Sequence, residues 1–262
     1  SFVQRIRETM MVCMRFSVVY FGVFPLLFSI GCQHSRGLNN VEPYAECPTE
    51  ASTTGRLHQT LDQLYTERDA SLTGILMLEE GLNALLLRGW LTEQATERID
   101  IQYFIFSADN VGLLSTSALL AAAQRGVQIR LLVDDVLAHG DEYILRDLHS
   151  HPNIDVKVYN PNINIGRTLT EKSKNLITQF ESINQRMHHK TFIVDGSVVV
   201  TGGRNVGDEY YDLDDDYNFR DRDVALFGGT VDAVQESFEL FWADDHSVGI
   251  HAFKSIKRLT RP

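Results

Sequence analysis

Blocks of apolar and polar residues alternate along this chain with a period that changes, and each change marks an expected element. Between Leu72 and Gln94 apolar residues recur at helical spacing (Leu76, Leu78, Leu82, Leu85, Leu86, Trp90), which predicts a helix with one apolar stripe. Ile99–Phe106 (IDIQYFIF) reads as a buried strand. Leu113–Gln124 is an Ala/Leu-rich helix closed by Arg125-Gly126, a C-cap signal. A strand over Val127–Val133 ends in Asp134-Asp135, and a helix at Glu142–His149 and a strand at Ile154–Tyr159 follow. After a loop opened by Pro161, Thr170–Asn184 predicts a polar helix. Thr191–Val194 and Ser197–Val200 flank Asp195-Gly196, the pattern of a hairpin. Val224–Phe227 then leads through Gly228-Gly229 into a helix ending near Trp242, after which no complete element is expected. Strand–helix–strand alternation predicts an α/β fold: a mixed, mostly parallel sheet with helices on both faces.

The first fifty residues follow a different pattern. Phe16–Gly31 (FSVVYFGVFPLLFSIG) is apolar throughout, is preceded by Met14-Arg15 and is followed by Cys32. A basic start, an apolar run too short for a comfortable span and small residues before a cysteine predict a bacterial secretory signal over residues 1–32, with Cys32 lipidated. An uncleaved anchor, or a start at Met14, is the alternative. Residues 33–55 have the polar, Gly- and Pro-containing composition of a tether, leaving residues 56–262 as the folded lobe. The expected location is therefore exported and membrane-attached, on the periplasmic side.

Composition narrows the function classes. With 262 residues, 44% hydrophobic and 23% charged, the chain can bury a full core without disulfide or metal staples. A net charge of -11 argues against broad phosphate neutralisation, so nucleic acid is not a favoured partner. All three cysteines lie before position 48, so no zinc knuckle can form in the body.

One segment concentrates chemistry: Met187-His188-His189-Lys190, then Asp195-Gly196, then Gly202-Gly203-Arg204-Asn205. Strand alternation would put His188 and Lys190 on one side and His189 on the other. An imidazole is a nucleophile or proton carrier near neutral pH, and an ammonium beside it stabilises phosphoryl charge. Gly202-Gly203 permits close backbone approach to an anion, and the Asn205 amide offers two donors. These pieces describe a phosphodiester site that needs no metal or other cofactor. As an isolated pair, His188 and Lys190 would read as a half-exposed strand pair.

His188-x-Lys190-x4-Asp195 followed by Gly202-Gly203-x-Asn205 resembles the phospholipase D superfamily signature, the HKD motif. Ile99–Phe106, Ala121–Asp135 and Gly202–Tyr211 resemble the C-type branch of bacterial cardiolipin synthases. The resemblance implies a phospholipase D-like fold and a phosphatidyltransferase that works through a phosphohistidine on a phosphatidylglycerol-type phospholipid at a membrane surface. It implies His188 as nucleophile or general acid, with Lys190 and Asn205 on the phosphate oxygens beside Gly202 and Gly203. Asp195 completes the catalytic signature, although support of the local fold is the better expectation for it. Asp221 falls where the family places a carboxylate that orients the histidine. Family enzymes carry two such motifs and this chain has one, so a second lobe is required. A missing carboxy-terminal half is the favoured source and a homodimer partner the other. A single-motif phosphodiesterase or nuclease, and a lipid-binding lobe without turnover, are the rival readings.

Several residues stay open at this level. Arg204 is a phosphate contact or part of a surface salt bridge. Asp134-Asp135 are ligand-facing, or helix-capping or hinge carboxylates. The run Asp212-x-Asp214-Asp215-Asp216 is a solvated loop rather than a calcium loop, because Tyr217 occupies the position that needs glycine.

Overall fold

The computed structural model describes residues 72–135, 142–161 and 186–253, together with Leu57 and Leu61 of a helical segment, all within the unit Thr54–Pro262. The expected leader, Cys32, the tether and the helix at Thr170–Asn184 lie outside the described residues. Among the described residues no helix is long and apolar enough to cross a membrane.

The chain order is β1 (Thr73–Leu78), α1 (Gly81–Gln94), β2 (Arg98–Tyr103), α2 (Asn110–Gln124), β3 (Gln128–Asp134), α3 (Glu142–His149), β4 (Ile154–Tyr159), β5 (Thr191–Val194), β6 (Val198–Gly202), β7 (Asp223–Gly228), α4 (Val231–Ala243) and β8 (Ser247–Gly249). Single 3-10 turns occupy Asp208–Tyr210 and Ile250–Ala252. Eight strands form one sheet in the order β1-β7-β6-β5-β2-β3-β4-β8.

The α/β class and its two helical faces match the expectation, but the sheet is mostly antiparallel. Among the described strands only β2–β3 and β3–β4 pair in parallel, because they are the sheet neighbours joined by helical crossovers; the helices after β1 and β7 lead to strands that are not adjacent. The β5–β6 connection is the three-residue loop Asp195–Ser197, in which Asp195 at φ 50° and Gly196 at φ 59° form a left-handed pair and the Ser197 amide donates to the Val194 carbonyl (2.9 Å). β7 continues that antiparallel run, and β1 closes the sheet edge against it.

Two further expectations change. The helix expected from Leu72 begins only at Gly81, and Thr73–Leu78 is instead an edge strand paired with β7. Its apolar spacing fits either period, and pairing decides: Ile75 lies opposite Leu226 and Met77 opposite Val224. After Trp242 the chain adds β8, a three-residue strand on the outer edge of β4.

The register separates the two faces. Ile99, Ile101 and Tyr103 of β2 align with Ile129, Leu131 and Val133 of β3 and with Ile154, Val156 and Val158 of β4. All nine are buried on the face that carries α1, α2 and α3. Asp109 caps α2 by accepting a hydrogen bond from the Gly112 amide (3.0 Å). On the opposite face α4 packs Val231 and Phe238 against Leu132, Ile193, Val199 and Met187. That face also carries charge: Arg130 donates to Asp100 (2.6 and 2.8 Å) and to Glu239 of α4 (2.9 Å), beneath the Phe238 ring.

Candidate active site

One end of the sheet gathers the carboxyl ends of β2, β3 and β6 and the amino ends of β5 and β7, an edge at which open α/β sheets bind ligands. A pocket of about 370 Å³ opens there, lined by His188, Lys190, Gly202, Gly203, Asn205, Tyr210, Phe219 and Asp221. Six of these eight were anticipated from the sequence, and they come from segments up to 33 residues apart.

Each polar side chain is held by a different element. The segment entering β5 is anchored by Asp134 at the end of β3, which accepts from the Met187 amide (2.9 Å) and pairs with Arg186 (3.3 Å). Asp134 is thus a buried support for the strand that carries His188. Lys190 is buried, at 5% exposure, and its Nζ donates to the His188 carbonyl (2.8 Å). Burial pushes its ammonium below the ordinary lysine value, and the facing Asp221 carboxylate partly opposes this. Asn205 is buried too, and its Oδ1 accepts from the Ile105 amide (3.0 Å). That bond fixes which end of the amide holds the donors, and a hydrogen bond links the Asn205 side chain to the Tyr210 hydroxyl. Burial raises the Tyr210 hydroxyl above its usual value despite that bond.

The glycines serve close approach, but the nearest anions are the chain's own. A Cβ at Gly203 would stand 2.6 Å from the Asp221 carboxylate, and one at Gly202 would meet the Arg222 carbonyl at 2.4 Å. Their bareness lets Asp221 and β7 lie against the pocket wall. No described hydrogen bond joins Asp221 to the His188 ring; its field falls on Lys190. His189 points the other way and meets Phe241 of α4 edge-on (4.7 Å). Burial, then Lys190 and His188, lower its imidazole below the usual value.

Two residues of the signature lie outside the pocket. The Asp195 carboxylate sits at the far end of β5 and accepts from the Thr96, Glu97 and Arg98 amides (2.9, 2.9 and 2.8 Å) and the Thr96 hydroxyl (3.0 Å). It therefore ties the β5–β6 hairpin to the start of β2. Arg204 is 2% exposed and donates to the carbonyls of Leu78, Glu79 and Tyr210 (3.0, 2.7 and 3.1 Å). It lies 3.6 Å from Asp223, which in turn accepts from Arg88 (2.9 Å) and from the Arg204 amide (3.2 Å). Neither a phosphate contact nor a surface salt bridge describes it.

Tyr210 and Phe219 escaped sequence reasoning. Their signal was an aromatic series inside an otherwise acidic run, Tyr210 to Phe219, whose rings lie 5.0 Å apart. In that run Asp214 accepts from the Asp216 and Tyr217 amides (2.9 and 3.0 Å), a self-contained turn. Among the described residues no cluster of three or more His, Cys, Asp or Glu is placed to hold a metal ion.

Comparison with known proteins bears on this geometry. Residues 91–242 match the family described as "Cardiolipin synthase, PLD-like domain". The chain is 44% identical over 170 residues to cardiolipin synthase C of Escherichia coli, an alignment covering 64% of this chain and 35% of that protein. It is 37% identical over 202 residues to an uncharacterized protein of Helicobacter pylori, covering 76% and 40%. Among solved structures, phosphatidylserine synthase of Haemophilus influenzae superposes with a TM-score of 0.52 at 14% identity, covering 72% of this chain and 40% of that one, which shows a shared fold. The chain thus spans between a third and two fifths of the length of these relatives.

Proposed function

This chain belongs to the phospholipase D-like family of cardiolipin synthases, and we propose that it supplies one catalytic lobe of a phosphatidyltransferase acting on phospholipids. The observation that carries the reading is the meeting of His188, Lys190 and Asn205 around one open pocket. An exposed imidazole stands there beside a buried ammonium and a buried amide. In the proposed reaction a His188 ring nitrogen attacks the phosphodiester phosphorus of a phosphatidylglycerol-type donor. The new P–N bond forms as the bond from phosphorus to the leaving oxygen breaks. Lys190 and the Asn205 amide take up charge on the non-bridging oxygens. The departing alcohol takes a proton from a second histidine; an alcohol of another phospholipid then gives its proton back to that histidine and forms a P–O bond as the P–N bond to His188 breaks. One histidine cannot act on both sides of the same bond, so the second belongs to another lobe, from the same polypeptide or a second copy. Export and attachment through a lipidated Cys32 would bring this site to its substrate surface.

The test uses the full-length protein with phosphatidylglycerol vesicles, following cardiolipin by mass spectrometry. Denaturing quench should trap a phosphatidyl group on wild type and none on His188→Ala. Release of nucleotides from nucleic acid with lipids left intact would favour a nuclease. Lipid retention with no turnover in wild type would favour a binding lobe.

A further inference from the structure

We infer that Phe104, the residue just past the end of β2, is a positioning residue for the His188–Lys190 pair. Its ring centroid lies 4.7 Å from that of the His188 imidazole, tilted by 57°, and 5.2 Å from the Lys190 ammonium. One aromatic side chain therefore touches both polar groups without lining the pocket itself.

The physical demand for such a group follows from burial. Lys190 enters the site with 5% of its surface exposed, and its ammonium donates to the His188 carbonyl. Taking an ammonium out of water disfavours its charged form, and the charged form is the one that stabilises phosphoryl oxygens. The groups facing Lys190 are Asp221 from the loop before β7 and His188 and His189 from its own segment. Asp221 alone favours the cation. The negative face of an aromatic ring attracts a cation without accepting its proton, so Phe104 adds to Asp221 while leaving the ammonium's donors for substrate. The tilted contact with His188 restricts the imidazole on the ring's own side.

The backbone after Phe104 extends the role. The Ile105 amide holds the Asn205 oxygen, the Val206 amide donates to the Ile105 carbonyl (3.2 Å), and the Ser107 amide donates to the Val206 carbonyl (2.9 Å). Residues 104–107 thus register the Lys190 side of the site against the Asn205 side. A leucine would fill the same space and keep these backbone bonds, but it has no ring face.

This inference rests on the proposed function for its kinetic arm and on geometry alone for its titration arm. In the full-length protein, lysine labelled at 13Cε, with the Lys190 signal assigned by its loss in Lys190→Arg, is titrated in wild type, Phe104→Leu and Phe104→Tyr. Phe104→Leu should lower the Lys190 pKa by about half a unit or more, and Phe104→Tyr should keep it. The alkaline limb of the pH–rate profile should move down by the same amount in Phe104→Leu. Its kcat should fall about tenfold and its KM stay within about twofold, since geometry and not binding is lost. If Phe104→Leu does not fold, Phe104→Met carries the same comparison. A Lys190 titration unmoved by losing the ring overturns the inference. Full turnover in His188→Ala would instead overturn the proposed function, while the titration still decides Phe104.

Discussion

The signature around His188 divides between two neighbouring regions built on opposite plans. In the pocket, His188 is exposed, and the buried Lys190 and Asn205 form part of the wall, each secured by a backbone contact. Away from the pocket, Arg204, Asp223 and Arg88, and Asp195 at the far end of β5, spend their capacity on the protein itself. Asp195 takes four hydrogen bonds, Arg204 gives three to carbonyls, and Asp223 receives Arg88 and the Arg204 amide. Residues adjacent in sequence therefore fall under different constraints. Pocket groups are costly to the fold and useful to chemistry, whereas frame groups stabilise the fold and never face a ligand.

The sharpest way to break this contrast is His188→Ala. With the imidazole exposed and no core contact at stake, transfer should fall at least about a thousandfold. The melting temperature should stay within about a degree. A large loss of stability would place His188 in the frame. Asp223→Ala is the mirror case: it leaves the buried Arg88 guanidinium without its carboxylate, a loss of about 3–5 kcal/mol. For a domain of this size that corresponds to a fall in melting temperature on the order of 10 °C. A variant melting like wild type would mean that Arg88 and Arg204 are satisfied without it.

Asp195→Ala separates the signature's own last residue from its first. Its four donors lie at the far end of the sheet and are partly exposed, so water replaces some of the lost bonds. The expected cost is about 1–3 kcal/mol, with kcat below the melting range within about twofold of wild type. A selective loss of turnover at unchanged stability would return Asp195 to the chemistry.

Much of this division was unreadable from the chain, for identifiable reasons. The elements from β2 to β4 and the β5–β6 hairpin were legible because each has one period, a turn signal and apolar residues on the buried side. β1 was not, since Leu76 and Leu78 suit either a helix or an edge strand until β7 pairs with them. The antiparallel majority was missed because alternation of strands and helices says nothing about strands joined without helices. For the site, residue type and spacing singled out His188, Lys190, Asn205 and Asp221, which line one pocket. Type alone could not say that Arg204 turns inward to three carbonyls, because a guanidinium serves phosphate and backbone equally well. Phe104, Tyr210 and Phe219 belong to aromatic runs that read equally well as packing, and their placement separates them from it.

Lys190→Met tests whether pocket groups are held at the expense of stability. Burial lowers the Lys190 pKa relative to an unfolded chain, so over the interval between the two values the unfolded state binds more protons and stability rises with pH. Below both values the penalty is fully present. Methionine removes it at similar length, so the variant should melt a few degrees higher while losing transfer. Its gain should shrink as the pH approaches the ordinary lysine value. A lower melting point at pH 7 would mean that the contacts with Asp221, Phe104 and the His188 carbonyl outweigh the desolvation.

The smallest effect distinguishes the two adjacent histidines. His189 faces α4, and its imidazole is held below its usual value by burial and by Lys190 and His188. Between that lowered value and about 6.5 the unfolded chain again binds more protons, so stability climbs with pH and the gain is complete above the unfolded value. His189→Gln should flatten this climb, a difference of about a degree or less given the partial exposure, and should leave transfer within about twofold. His188→Ala should do the reverse, leaving the climb nearly intact while removing transfer. If both substitutions changed turnover equally, strand alternation would not be what separates chemistry from packing at this edge, and the division between pocket and frame would fail at its closest pair.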